Sequence, residues 1–332
     1  MKLQHIKSYL FFFLRILFAI ALGSYVFLTV DFASAWKAFL QFSIPLFIVS
    51  FCLSTICSIV IPAMTTNRAL RVSGIDISLW ESIKINFSMR LYVMILPQVI
   101  SSGIRWFRYR GPEKGKGWEA ASIIFFEKIV QLFFITFSTF VFFLIKINTI
   151  PDVLKNSIPL IGVLAMAFFA LIVLFLSPQV FRLFGFMFRF ARDHFPQFVA
   201  KRVDKIEEAI QVYQKLGNRS VVLMFFGYLS AHLIFILSSS VLGFGLGIEM
   251  DYIDMGWIRS IVLTLSALPI TVGGLGVREL GHIYLMGYLG VDKSVAVTFS
   301  LLIFAIQILI ALIGACFEIW RFFMHSNTDL KK

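Results

Sequence analysis

This sequence has few charged residues. Only 14% of its 332 residues are Asp, Glu, Lys or Arg, whereas 59% are hydrophobic. A soluble domain carries about a quarter charged residues, so this composition excludes a soluble globular protein. The hydrophobic residues lie in runs long enough to cross a bilayer, which takes about 20 residues per helix. The sequence therefore predicts an all-α polytopic membrane protein.

Motifs of the common catalytic sites are also missing. The sequence contains no H-E-x-x-H, no P-loop, no G-x-S-x-G and no aspartate pair of the kind that binds a nucleotide sugar in the cytoplasm. Its three cysteines, Cys52, Cys57 and Cys316, lie inside apolar runs and form neither a zinc pattern nor a credible disulfide framework. We therefore expect no metal ion, no cofactor and no enzymatic activity, and an intramembrane transferase is the least favoured function.

Acidic residues are the scarcer charged class, with 18 against 30 basic residues and a net charge of +12. The basic residues lie in short loops between apolar runs, where they indicate cytoplasmic loops and contact with anionic lipid and not nucleic acid. Basic residues before the first run and after the last place both termini in the cytoplasm, and we expect the inner membrane of a bacterium. Six runs are long enough for full spans: 9–30, 44–64, 118–145, 158–176, 221–246 and 294–323.

Two further apolar stretches are interrupted by proline, glycine or charged residues, and in each the charges of the flanking loops indicate one side of the membrane. Residues 82–116 have basic flanks on both sides, whereas residues 257–290 follow an acidic loop. The charge distribution is consistent if the first stretch is a re-entrant hairpin from the cytoplasm and the second one from outside. Each half is then span, span, hairpin, span. We therefore expect one membrane domain, residues 1–332, that contains an inverted repeat of residues 1–150 and 151–332.

The one substantial polar region, residues 182–219, connects the two spans that begin the second half. It holds eight Lys or Arg residues and is expected to be cytoplasmic. Residues 199–216 have amphipathic helical spacing, which is typical of a helix that lies along the membrane surface. A solvated connector explains the same composition equally well.

A motif in the second broken stretch has a weaker copy in the first. Both copies read Leu-Pro, then three residues, two small residues, Gly, an aliphatic residue and Arg, and the later copy has one extra residue. Paired broken segments in the two halves of a membrane protein point to a binding site at the repeat interface. The residues concerned are Pro269, Gly273, Gly274, Gly276, Arg278 and Glu279 in the second stretch, with Pro97, Gly103 and Arg105 in the first.

These residues have the chemistry of an anion site. A half-helix that begins after glycines presents N–H groups and the positive end of its dipole, and Arg278 adds a planar fork suited to phosphate or carboxylate. Glu279 would balance Arg278 in the empty site, and Arg105 would supply a matching cation from the other hairpin. Alternatively, Arg278 and Glu279 simply neutralise each other, and the glycines only allow close packing of helices.

Glu127 and Lys128 are a second pair of charges inside a span. Intramembrane charges cost about 2.5–3.5 kcal/mol each on insertion scales, so such residues suggest function. As neighbours on one helix they could also serve only as a local or interhelical pair. His232 and His282 are single histidines in apolar surroundings, and we expect hydrogen-bonded interior residues there and not proton carriers.

The stretch from Leu268 to Glu279 resembles the signature of the transmembrane region of lysylphosphatidylglycerol synthases. The upstream Leu96 to Arg105 is similar to the first loop of that family, and Glu127-Lys128 falls where the family has Glu-Arg or Asp-Arg. The family has an aspartate three residues further on, where this sequence has Gln131, so a charge-relay role of that helix is in doubt. The resemblance implies a flippase-like domain, which in the bifunctional synthases moves aminoacylated lipid between leaflets. We expect the soluble aminoacyl-transfer domain to be missing here.

Two functions from different classes follow. The first is a translocase for an anionic phospholipid or a polyprenyl-phosphate-linked glycan, with the two hairpins as its headgroup site. The second is a membrane accessory protein whose basic connector positions a separate lipid- or sugar-modifying enzyme.

Overall fold

The structure is a computed structural model that describes residues 31–96, 98–110, 117–194, 197–214, 218–267 and 276–329, together with Ser24, Leu28 and Gly274. Within these residues the chain forms helices and no strand. In order they are α1 Phe32–Leu40, α2 Ile44–Thr55, α3 Ile61–Val72, α4 Leu79–Ile95, α5 Gln98–Tyr109, α6 Gly117–Ile145, α7 Asp152–Lys155, α8 Ile158–Leu176, α9 Pro178–His194, α10 Gln197–Gln214, α11 Asn218–Gly245, α12 Tyr252–Ala267, α13 Val277–Gly287 and α14 Lys293–Asp329.

Five of the described helical stretches are long and apolar enough to cross a membrane. They match five of the six spans predicted from hydropathy, and the remaining predicted span, residues 9–30, lies outside the described residues apart from two positions. The chain is therefore a multi-pass membrane protein. The five stretches are Ile44–Val72, Gly117–Ile145, Asp152–Leu176, Arg219–Gly245 and Lys293–Phe323.

The outer surface of the bundle is apolar. On α8, for example, Leu160, Val163 and Met166 recur at helical spacing and are each more than 60% exposed. A soluble protein rarely exposes a continuous apolar surface of this kind, whereas lipid tails solvate it well. This face of α8 is therefore suited to contact with lipid.

The first described span is one continuous helix interrupted by a π-helical turn. Residues Ile56–Val60 form this turn between α2 and α3, and Pro62 follows directly after it. Proline has no N–H and cannot bond to the carbonyl four residues earlier, which belongs to Ser58. Turns of this type occur often at functional sites. The carbonyl of Ser58 is thus available to a side chain from another helix.

Each predicted hairpin is a pair of helices in contact. In the first half α4 and α5 pack together across the break at residue 97, and in the second half α12 and α13 do so across residues 268–273. Ser78 begins α4, because its hydroxyl accepts from the backbone N–H of Glu81 at 3.1 Å.

The first helix of each broken pair packs along the last span of the other half of the chain. α4 packs along α14, and α12 packs along α6. The approach of α4 and α14 is close enough to require glycine, since a Cβ added at Gly314 would lie 2.2 Å from the carbonyl oxygen of Phe87. The first broken pair is thereby fixed against the last span.

The basic connector is helical. Residues 199–214 of the predicted amphipathic segment, 199–216, fall within α10, and the last two lie outside the described residues. Before it, α9 is a further helix that was not predicted from the sequence. α9 and α10 pack on each other and on α8, and α10 also reaches α6. Arg192 on α9 pairs with Asp204 and Glu207 on α10, which fixes the two connector helices together.

Candidate functional site: charges between the helices

Arg278 and Glu279 form a buried ion pair at the start of α13. Only 4% of Arg278 and 7% of Glu279 is exposed. The guanidinium donates through Nε and Nη2 to Oε1 of Glu279 at 3.0 and 2.5 Å, and Nη1 donates to Gln307 on α14 at 3.3 Å. The ring of Phe304 lies 4.6 Å from the guanidinium carbon. The pair is therefore neutral as a unit and fully surrounded.

The start of α13 is also less open than the sequence suggested. Gly274 and Gly276 have φ angles of 74° and 80°, which only glycine adopts readily. The N–H of Gly276 donates to the second carboxylate oxygen of Glu279 at 2.7 Å, and the N–H of Arg278 donates to the carbonyl of Gly274. Glu279 therefore caps the helix as well as pairing with Arg278, and an anion would have to compete with it.

Arg105 and Glu127 form the corresponding pair of the first half. Two parallel hydrogen bonds of 3.0 and 2.8 Å join them, and the hydroxyl of Thr66 donates to the same carboxylate at 3.0 Å. Gln131 adds a further donor at 3.2 Å. Bidentate contacts of this kind are among the strongest ion pairs. One donor remains, because the buried Nε of Arg105 has no hydrogen-bond partner.

Lys128 and Gly103 are both exposed. The local pair of Lys128 with Glu127, one of the alternatives for these two charges, is not among the described contacts, because the side chain of Lys128 donates to Gln131 at 3.1 Å. Adjacent residues on a helix point in different directions, and Glu127 faces Arg105 on α5. Gly103 is exposed, and nothing lies within 4 Å of a Cβ placed on it. Close helix packing therefore does not explain this glycine.

Arg259 is a buried cation that the sequence analysis missed. It lies on α12, is 4% exposed, and donates to Ser239 at 2.9 Å and to Nε2 of His282 at 3.0 Å. Its guanidinium carbon is 4.7 Å from the ring of Phe235. None of these partners is a carboxylate. A charged residue inside the apolar stretch 257–290 is itself a signal of function, and it could have been used to find this residue.

His282 links Arg259 to the ion pair. A guanidinium only donates, so Nε2 of His282 accepts and the proton of the neutral ring is on Nδ1. Nδ1 lies 3.2 Å from the hydroxyl of Ser300, which is 3.5 Å from Oε1 of Glu279. His282 is fully buried, as expected of an interior residue. His232 is likewise 8% exposed and lies 2.7 Å from the hydroxyl of Ser138.

Arg90 is the second missed cation. It lies on α4, and its Nη2 donates at 3.0 Å to the carbonyl of Ser58. Its side chain is exposed. An exposed guanidinium on an apolar helix pair indicates space that water or a polar ligand reaches, since lipid tails do not solvate it.

The structure brings the predicted site residues together in two groups and not in one. The described contacts of Arg105 and of Arg278 share no residue, so the part of the chain that the structure describes does not bring these two cations into the single anion site that the sequence suggested. Pro97, Pro269 and Gly273 lie outside the described residues. Arg105 is paired with Glu127 and Arg278 with Glu279, whereas Arg90 and Arg259 have no carboxylate among their described contacts.

Comparison with known proteins identifies the family. Residues 12–314 match the model of the family described as the lysylphosphatidylglycerol synthase TM region. The match covers most of the chain and includes both broken helix pairs. No curated protein and no solved structure matches the chain.

Proposed function

The chain belongs to the lysylphosphatidylglycerol synthase transmembrane-region family, and we propose that it moves an anionic or phosphate-linked lipid headgroup between the two leaflets of a membrane. The observation that carries the proposal is the charge excess between the helices. Arg105 and Arg278 are each paired with one carboxylate, whereas Arg90 and Arg259 have none among their described contacts. Intramembrane charges are costly to insert, and an anionic headgroup would compensate this excess. We propose transport without catalysis and without a cofactor.

An inverted repeat is part of the proposal, and the packing of the helices supports it. By chain order, α2–α3 correspond to α11, α4 to α12, α5 to α13 and α6 to α14. When the halves are exchanged, the contact of α4 with α14 becomes that of α12 with α6, and the contact of α5 with α6 becomes that of α13 with α14. Both pairs of contacts are present. Arg105 on α5 bonds to Glu127 on the span that follows it, α6, and Arg278 on α13 bonds to Gln307 on the span that follows it, α14.

The two broken helix pairs then serve as the two sides of the headgroup site. In transporters with repeats, broken helices meet near the middle of the membrane, and their termini and freed carbonyls contact the substrate. Here the freed carbonyl of Ser58, the start of α13 and the unpaired Nε of Arg105 are groups of this kind. We place the protein in the inner membrane of a bacterium with both termini in the cytoplasm.

Reconstitution tests the function directly. Purified protein in liposomes should move fluorescent phosphatidylglycerol or a fluorescent polyprenyl-phosphate carrier between leaflets, as measured by access of a membrane-impermeant quencher. Liposomes without protein are the control. If none of these lipids moves faster than in the empty liposomes, the proposal is wrong.

Variants of Arg278 separate a transport role from a structural one. Arg278→Lys keeps the charge but loses the two-pronged contact, so transport should fall strongly while the protein still folds. Arg278→Ala should lose more, and Glu279→Gln should change the affinity for lipid by unbalancing the pair. If the pair is only structural, Arg278→Ala and Glu279→Gln each leave a buried unpaired charge that costs about 3–5 kcal/mol. Both of these variants would then express poorly, and Arg278→Leu with Glu279→Leu would restore expression.

Yield from membranes, melting temperature and lipid movement should be measured for all these variants together. A well-folded Arg278→Lys protein that moves little lipid supports the anion site. Full transport by the double-leucine variant contradicts it.

A second candidate function rests on the connector. α9 and α10 are fixed together, and Arg182 and Arg189 are exposed on α9. Such a surface suits an acidic partner, for example a lipid- or sugar-modifying enzyme. Two results together would favour this function. The purified protein should carry such an enzyme with it from the cell, and it should move no lipid after reconstitution in liposomes.

A further inference from the structure

Two cations of the broken helix pairs have no carboxylate among their described contacts. Arg90 and Arg259 occupy related places, because each lies on the first helix of its pair. Arg90 precedes the proline of its break by seven residues (97 − 90) and Arg259 by ten (269 − 259), a difference of about one helical turn. Each half of the molecule thus supplies one such arginine.

Arg259 is held in place while its charge stays uncompensated. Ser239 and His282 take its hydrogen bonds, but a hydroxyl and a neutral imidazole carry no negative charge. Burial of a charge without a counterion is expensive, so such residues are normally paired. The geometry is that of a cation fixed in advance for an anion that arrives from elsewhere.

Both arginines contact the region where α2 and the turn after it meet α11. Arg259 donates to Ser239 on α11, and the hydroxyl of the neighbouring Ser238 lies 2.7 Å from that of Ser54 on α2. The thiol of Cys57 donates to the carbonyl of Ser54 at 3.3 Å, and the carbonyl of Ser58 accepts from Arg90. We call these polar groups, which bring the two arginines to one contact between helices, the polar path.

We propose that Arg90 and Arg259 are two anion-binding positions for the phosphodiester of a membrane lipid, one in each half, between which the headgroup passes. The passage rests on the proposed transport function, whereas binding at the two positions does not. Each guanidinium offers a planar pair of donors to phosphate oxygens.

Binding is tested on the purified full chain by its melting temperature in detergent. The probes are dihexanoyl phosphatidylglycerol, the net-neutral dihexanoyl phosphatidylcholine and inorganic phosphate. Phosphatidylglycerol should stabilise the wild type more than the other two, since a ligand of the folded state raises its stability. Arg90→Gln and Arg259→Gln should each weaken this binding about tenfold or more, whereas Arg90→Lys and Arg259→Lys should retain part of it.

Arg68→Gln is the matched control. Arg68 also donates to a serine of α11, Ser220 at 3.2 Å, but it lies at the end of α3 away from the path. Its substitution should leave the effect of phosphatidylglycerol unchanged. An equal loss in the control and in the two Gln variants, or no loss in either Gln variant, overturns the proposal. An equal effect of inorganic phosphate overturns the assignment to a lipid.

Transport provides a second and separate readout. In liposomes, the two Gln variants should lose the preference for fluorescent phosphatidylglycerol over fluorescent phosphatidylcholine, and the control should keep it. If the wild type moves neither lipid but the Gln variants lose binding, the proposed function fails and the two anion positions stand. If the wild type moves lipid and the Gln variants bind and select lipid normally, the proposed function stands and the two anion positions are wrong.

Discussion

At the scale of single residues, glycine has two different roles in the helix pairs. At Gly314 the backbone of α4 passes so closely that a methyl group would meet the carbonyl of Phe87, whereas around Gly103 there is open space. The first glycine is explained by packing. The second lies in the middle of α5, where alanine would be the better helix former.

We therefore expect opposite results from the same substitution. Gly314→Ala should lower stability by about 1–3 kcal/mol through overpacking, and Gly103→Ala should leave it unchanged or raise it by up to about 1 kcal/mol. If the headgroup passes Gly103, the alanine variant should still lose transport, because its methyl group would occupy part of the open space beside α5. Melting temperatures and lipid movement measured side by side check both points. Equal melting temperatures for the two variants would contradict the close contact of α4 with α14.

Partner choice at this scale was only partly predictable from the sequence. The adjacent Arg278 and Glu279 do pair, but the adjacent Glu127 and Lys128 do not. The reason is geometric, since an i,i+1 pair on a straight helix diverges, while Arg278 lies in the first turn of α13, where Glu279 folds back to cap the helix. The pairing of Arg105 with Glu127 depends on tertiary packing, which spacing along the chain does not encode.

At the scale of helices, hydropathy predicted the spans well. The predicted run 158–176 has the same bounds as α8, and the predicted run 118–145 begins one residue after the start of α6. Transfer from water sets these lengths, so composition alone determines them. The π-helical turn was not predicted. The hydropathy of an apolar run gives no sign of such a turn.

Lys146 joins the end of α6 to the start of α12, and this contact should depend on pH. Its ammonium donates to Asp251 and, at 2.8 Å, to Asp254, and these hydrogen bonds raise the pKa of Lys146. Partial burial acts to raise the pKa of Asp251, but the hydrogen bond from Lys146 outweighs it, and the pKa lies below its usual value. The contact therefore stabilises the fold between about pH 4 and about pH 10.

Below that range the contribution is lost as the pH falls through the folded-state pKa of Asp251, and above it as the pH rises through that of Lys146. Because the groups are partly exposed, we expect about 1 kcal/mol or less. Lys146→Met should lower the melting temperature at neutral pH and have little effect near pH 3. Lys155→Met, which removes a contact with Asp152 within one exposed turn, is the control and should have a smaller effect. A loss of the same size at both pH values would show that packing and not charge is responsible.

At the scale of the whole molecule, the sides of the membrane are still a prediction from the charges of the loops. The loop with Glu249, Asp251 and Asp254 should face outward, and the connector with Arg182 and Lys201 should face the cytoplasm. In a cysteine-free background, Glu249→Cys and Arg182→Cys should react with an impermeant thiol reagent from opposite sides. Both are exposed positions, so access should not limit the reaction. Lysed vesicles, in which both should react, are the control, and reaction of both from one side would contradict the inverted repeat.

The division of the chain into two halves could be predicted better than the contacts of the charged side chains between the helices. Charge counting along the sequence suggested two halves with a broken segment in each, and the family match covers both. It did not predict that each half pairs the arginine of its own motif with a nearby carboxylate, nor that Arg90 and Arg259 have no carboxylate among their described contacts. Those features depend on which side chains the contacts of α4 with α14 and of α12 with α6 bring together.

The π-helical turn has a consequence for the angular phase of the first described span. A turn of this kind takes in one extra residue, and one residue of an α-helix corresponds to a rotation of about 100°. The faces of α2 and α3 are therefore offset around a common axis. Ser50 on α2 is directed at Ser238 on α11, while Thr66 on α3 is directed at Glu127 on α6. With an uninterrupted helix these two contacts could not both be made, so one extra residue lets a single span serve both halves of the molecule.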